Sequence, residues 1–209
     1  LFVVVLNIAS VNVVNTSVLT TNAIGSAALI AQSISGGGGY IAETKGSDEY
    51  EVTFGATGDF RGTAGNVSVK SQGALISTRQ AFSPALVAQS IAGGGGFALI
   101  TAKSKGETRI GATGDDLGAT SSGKVVVENQ ANLSTKGNFS TALTVQTIGG
   151  GGGVINSASS GLELGTLNHR ASASAGNVQV TNKSLIQTEG NYSSGMVIQT
   201  IGAGGGFVA

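Results

Sequence analysis

The chain has 209 residues, of which 35 are glycine, none is cysteine and one is histidine, and its 11 basic residues balance its 11 acidic ones. Glycine stands at roughly twice its usual share, while the 11% of charged residues is far below the roughly 25% of an ordinary globular domain. Zero net charge argues against a general nucleic-acid binder, which needs a basic face to release counterions. The lack of cysteine excludes disulfides and thiolate metal sites, and no apolar run approaches the roughly 20 residues of a membrane helix.

Along the chain, residues 1–6 are apolar but too short for the core of a secretion signal, and they lack a charged start. Val11-Asn12-Val13 alternates as a short strand does, and Val18-Leu19-Thr20-Thr21 is a second strand. A third spans 26–34. It resembles a helix locally, but its later counterparts contain Ser83-Pro84 and the Thr- and Val-rich 141–148, which suit a strand better. Gly36 lies in a glycine block, followed by Tyr40 and a variable stretch. The second copy has strands at 65–70, 74–78 and 83–91, a glycine block at Gly93, and further strands at 97–101 and 108–110. The third runs through Val125-Val126-Val127, Asn132-Leu133-Ser134-Thr135 and 141–148 to the block at Gly150. The fourth has Val178-Gln179-Val180 and Leu185-Ile186-Gln187-Thr188, and stops just after the block at Gly204.

Each copy ends in one phrase, Ala-Gln-Ser-Ile or a near variant, ahead of its glycines. The shared glutamines Gln32, Gln89, Gln146 and Gln199 are spaced 57, 57 and 53 residues apart. A fixed period of this size marks a repeat architecture whose units bury their apolar faces against their neighbours. From the first valine to the glutamine is 21 residues in three copies and 22 in the second, a one-residue insertion at a turn. Short strands with polar turns and no capped helical period predict an all-β parallel β-helix, or β-solenoid. Five or six strands per period predict about two three-sided coils per 53–57-residue repeat. Residues 1–209 then form a single solenoid fragment of a longer chain, with repeats ending near 39, 96, 153 and 206.

In the third strand Leu86, Ala88 and Ser90 share one face and Val87, Gln89 and Ile91 the other. The first set reads as inward and the glutamine set as outward, leaving Ile34, Ile91, Ile148 and Ile201 to be turned in by a bulge or covered. Glutamines pointing inward are the alternative, since stacked amides can hydrogen-bond along the axis. The glycine block reads as a corner or protruding loop between coils, with a flat docking surface as the sharper alternative. No Gly-Lys-Ser/Thr follows it, so a phosphate loop is excluded. A calcium-binding nonapeptide array needs an Asp where Tyr, Phe or Val stands here.

Catalytic signals are weak. His169 sits in the least repetitive stretch and reads as a solvated loop residue. Asp59, Asp115 and Asp116 read as caps of Gly-Asp turns, and with Arg61 and Arg109 they are the only candidates for polysaccharide chemistry, which needs two facing carboxylates. Asn-x-Ser/Thr triplets at Asn15, Asn66, Asn132, Asn138, Asn182 and Asn191 read as turn composition.

The phrases at 85–96 and 141–153, with the upstream strands at 65–78, resemble repeats of large bacterial autotransporter-type surface proteins. The resemblance implies a β-helical passenger region, exported through the Gram-negative envelope and displayed at the cell surface or released. A cysteine-free chain suits export in an unfolded state. Family members serve as adhesins, in aggregation, or as carriers of an enzyme domain, and the resemblance assigns no active site. The expectation is a structural and adhesive region, not an enzyme, with no cofactor or metal. Its partners would be itself, through exposed backbone or glycine strips, or glycans and proteins of a cell surface. A self-assembling filament or sheath subunit is the alternative, and a polysaccharide-active enzyme a third reading.

Overall fold

A computed structural model of the chain describes residues 2–6, 9–43, 52–56, 62–100, 108–112, 119–157, 161–165 and 172–208. The described residues contain no helix. Strand β1 (Phe2–Leu6) opens the chain. The first winding follows as β2 (Val11–Asn15), β3 (Leu19–Thr21), β4 (Leu29–Ile34), β5 (Gly38–Glu43), β6 (Val52–Phe54) and β7 (Gly62–Thr63). The second is β8 (Val67–Ser71), β9 (Leu75–Thr78), β10 (Leu86–Ile91), β11 (Gly95–Ile100), β12 (Thr108–Ile110) and β13 (Thr120–Ser121). The third is β14 (Val125–Asn129), β15 (Asn132–Thr135), β16 (Leu143–Ile148), β17 (Gly152–Ser157), β18 (Leu162–Leu164) and β19 (Ala173–Ser174). The fourth comprises β20 (Val178–Asn182), β21 (Ile186–Thr188), β22 (Met196–Ile201) and β23 (Gly205–Val208).

Each strand from β2 on pairs in parallel with its counterpart one repeat away, which gives six sheets running down the axis. This is the parallel β-helix the repeats predict. The number of coils differs from the expectation. From β2 on, one repeat makes one six-stranded winding, because Val67 pairs with Val11 and Gly95 with Gly38, a whole repeat apart.

The three-sidedness survives as lobes. The sheets of β2, β3 and β4 enclose one lobe, filled by Val11, Val13, Leu29, Ala31 and their counterparts. The glycine-started β5 sheet then folds back over the outer face of the β4 sheet. Phe97, Leu99 and Val154 pack there against Ile30 and Val87, and Ala98 and Ile155 pack on the far side against Ile110. The start of the chain shows the first lobe without the second: β1 lies on β4 with Phe2 opposite Leu29, about half a repeat away, and β2 is the next strand in sequence. Ala9 accepts a hydrogen bond from Ser33 there, as Gly65 does from Ser90 one winding on. The β5–β7 half of each repeat is therefore an excursion that builds the second lobe.

This excursion corrects the reading of the third strand. Leu86, Ala88 and Ser90 do face the first lobe, but Val87, Gln89 and Ile91 are equally buried, under the second lobe. No bulge is needed: the register from Leu86 to Ile91 is continuous, and Ile34, Ile91 and Ile148 form a buried stack with Ile201 against them. The extra residue of the second copy falls at the corner after Ser71, where the N–H groups of Gln72 and Gly73 both reach the Asn15 carbonyl.

Glycine is required in the β5 sheet. Gly95 has φ +124°, and a Cβ there would lie 2.0 Å from the Gly152 carbonyl oxygen of the next winding. At Gly94 a Cβ would strike the backbone of Gly55 and Ala56, so the block packs bare against the chain beyond β6.

A corner column goes against the usual preference for glycine in left-handed backbone. Gly25 sits at φ +67°, but Phe82, Phe139 and Tyr192 follow it at φ +57°, +55° and +56°. Their rings stack face to face at 4.9 and 5.0 Å. Left-handed backbone costs a non-glycine residue about 1–2 kcal/mol, and ring stacking with burial of the ring faces offsets it. Where Gly25 lacks a ring, the Tyr40 hydroxyl reaches across and donates to the Gly25 carbonyl. The Tyr40 ring stacks on Phe97 at 5.3 Å.

Candidate functional site

The four repeat-defining glutamines meet in one line inside the protein. Gln32 Nε2 donates to Gln89 Oε1 at 2.5 Å, Gln89 Nε2 to Gln146 Oε1 at 2.6 Å, and Gln146 Nε2 to Gln199 Oε1 at 2.6 Å. Each amide also donates across the lobe to a carbonyl of the β5 sheet, at Gly39, Gly96, Gly153 and Gly206. The expectation of an outward glutamine face is therefore overturned, and the inward alternative is what the fold adopts. A buried amide must have its hydrogen bonds met, and only a residue of the same length one winding on meets both ends.

The line has a direction. Gln32 Oε1, at its N-terminal end, is buried and has no hydrogen-bond partner among the described residues. The residue in register above it is Val5, which carries no amide. At the other end Gln199 is half-buried, on the last winding.

The glycine marks are likewise structural. Gly93 and Gly150 are buried, and a Cβ on Gly93 would lie 2.8 Å from the Gly150 backbone. Gly36 has φ +99°. In the fourth copy Ala203, not Gly204, lies under Gly150, one residue from the predicted equivalence. Ala203 does not have a positive φ, so its backbone is one that alanine adopts without strain. Burial of 93–96 and 149–153 removes glycine strips of the inner windings as an adhesive surface.

Of the catalytic candidates, Asp59, Arg61, Asp115, Asp116 and His169 lie outside the described residues. Arg109 is described: its Nε donates to Glu163 Oε2 at 2.7 Å, tying β12 to β18. Among the described residues there is no group of three His, Cys, Asp or Glu placed to hold a metal. Most of the Asn triplets serve corners. Asn15 and Asn182 donate to carbonyls two residues on, and Asn66, Asn132 and Asn138 accept from backbone N–H groups of the next winding.

Among the described residues, several outward columns are made mostly of uncharged polar side chains. Thr20, Ser77, Ser134 and Gln187 are in register down one face. Asn12, Ser68, Val126 and Gln179 form a second column. Val14, Lys70, Glu128 and Thr181 form a third, with a crevice of about 140 Å³ beside Glu128 and Lys183. Exposed ion pairs such as Lys136–Glu189, at 3.6 Å, link windings but contribute only about 0–1 kcal/mol each. A scan against protein-family models finds no match, and searches of curated proteins and of solved structures return none.

Proposed function

We propose that this chain is a rod-like structural and adhesive segment of a bacterial surface protein, displayed outside the cell and holding cell-surface glycans or proteins along its length. The observation that carries the reading is the set of outward columns, such as Thr20–Ser77–Ser134–Gln187, which repeat one small polar group per winding. Windings rise by about 4.8 Å, so a partner meets a regular row of hydroxyls and amides. Single contacts of this kind are weak, and a row of them binds by multivalency. The resemblance of the Ala-Gln-Ser-Ile-glycine phrase to autotransporter-type repeats supports the surface setting.

Beads coated with the chain test the reading against bacterial cells, host cells and a glycan panel. Binding that falls when Thr20, Ser77, Ser134 and Gln187 are all changed to glutamate supports it. Coated beads that bind no cell, glycan or protein above bare beads overturn the adhesive role.

A further inference from the structure

The geometry points to a carboxylate-binding pair on the side of the rod, Arg79 over Lys136, and to an acidic polysaccharide bearing carboxylate groups as the glycan held there. The inference rests on the adhesive reading of the same face and names its ligand class.

Three observations carry it. First, the pair is the one place among the described residues where like charges occupy adjacent windings. Lys70 lies in register with Glu128 and Arg109 with Glu163, and Lys136 has Glu189 at 3.6 Å on the winding after it. On the winding before Lys136, however, stands Arg79. The Lys136 N–H reaches the Thr78 carbonyl at 3.0 Å, which continues the register of β9 and β15 by one residue. Neighbouring strands lie about 4.8 Å apart, and like charges directly opposite each other repel. An anion between the two cations removes that repulsion. Second, Arg79 is exposed and makes no ion pair among the described residues. Its planar fork, which matches a carboxylate with two parallel hydrogen bonds, is open to a ligand. Third, β9 and β15 bury Ile76, Thr78, Leu133 and Thr135, so Ser77 and Ser134 project to the same side as Arg79 and Lys136. Two hydroxyls and two cations thus form a patch of about 4.8 by 6.6 Å, on the second and third windings.

The patch suits one class of partner. A protein partner needs an apolar or aromatic anchor in a pocket, and neither the serine pair nor the cation pair supplies one. Nucleic acid needs many phosphates neutralised, whereas two cations stand here with Glu189 beside them. A densely sulfated chain would press further negative charge on Glu189. A polysaccharide with isolated carboxylates offers one to Arg79 and Lys136 and its hydroxyls to Ser77 and Ser134, each of which both donates and accepts.

The test measures binding of the full 209-residue chain to immobilised alginate, a polyuronate, at low salt, with dextran as the neutral polymer and dextran sulfate as the densely charged one. The expected result is tighter binding to alginate than to either control. Arg79→Gln is expected to weaken it at least about tenfold, the equivalent of one charge-assisted hydrogen bond, with the urea midpoint unchanged. Glu189→Gln, which frees Lys136, is expected to tighten it about two- to fivefold. Alginate bound no better than dextran or dextran sulfate, an Arg79→Gln variant that holds alginate as the parent does, or a Glu189→Gln variant that holds it more weakly overturns the inference. Cells or neutral glycans bound equally by the parent and by Arg79→Gln overturn this inference alone and leave the adhesive reading standing. A chain that binds no cell, glycan or protein overturns both.

Discussion

Replacing Gln89 by leucine isolates the contribution of the ladder. Gln89 accepts from Gln32 and donates to Gln146 and to the Gly96 carbonyl. Leucine fills a similar volume but strands two buried groups, an amide hydrogen of Gln32 and the Oε1 of Gln146. Each stranded group costs about 1–3 kcal/mol, and burying leucine returns part of it. The expected net loss is about 2–4 kcal/mol, or about 5–15 °C in Tm for a chain of this size. Gln32→Leu is the control. It strands Gln89 Oε1 but removes the oxygen that is already orphaned, so the number of unmet groups is unchanged. Its expected cost is at most about 1 kcal/mol. Changing all four glutamines to leucine leaves no side-chain amide to strand and should cost less than the sum of the single changes. Thermal and urea unfolding followed by circular dichroism gives these values. Equal losses for Gln89→Leu and Gln32→Leu would refute the reasoning, because burial alone would then explain both.

Three further outcomes are expected. Gly95→Ala, which puts a Cβ 2.0 Å from the Gly152 carbonyl at φ +124°, should cost at least about 2 kcal/mol, whereas Gly202→Ala, whose Cβ would be 3.6 Å from its nearest neighbour, should cost under about 1 kcal/mol; urea midpoints separate them. Phe139→Ala should cost about 2–3 kcal/mol by removing the middle ring of the stack. Phe139→Gly should be the milder change by about 1 kcal/mol, reversing the usual order, since only glycine is at ease at φ +55°. Burial raises the Tyr40 pKa above its ordinary 10.0, against the smaller lowering effect of a backbone hydrogen bond with Ala27. The neutral phenol is thus favoured in the folded state, and its contribution is complete below pH 10 and lost as pH climbs through the raised value. Stability of the parent should therefore fall more steeply than that of Tyr40→Phe in urea titrations from pH 9 to 11.

Strand positions were legible because period-two alternation is local. Val67 and Val69 face inward while Lys70 faces out, as their alternation requires. Thr120–Ser121, with two residues, is too short to show a period, and nothing in the sequence marks it as a strand. The number of coils was not legible either. Three short strands close a lobe as readily as six close a winding, and the choice lies in hydrogen bonds between residues a whole repeat apart. Gln89 illustrates the same limit. Alternation separates it from Leu86 and Ala88, but whether its face meets water depends on the glycine-started strand that folds back over it. Phe82, Phe139 and Tyr192 hide behind the rule that left-handed corners take glycine or asparagine. Their alignment with Gly25 was the one available signal.

One measurement addresses the winding count directly. The chain has no cysteine, so spin labels can be placed cleanly at exposed Thr20 and Gln187, which lie three sheet steps apart through Ser77 and Ser134. One winding per repeat predicts a backbone separation of about 14 Å by dipolar spectroscopy. Two windings per repeat would double it to about 29 Å, and a distance near that value would contradict the account.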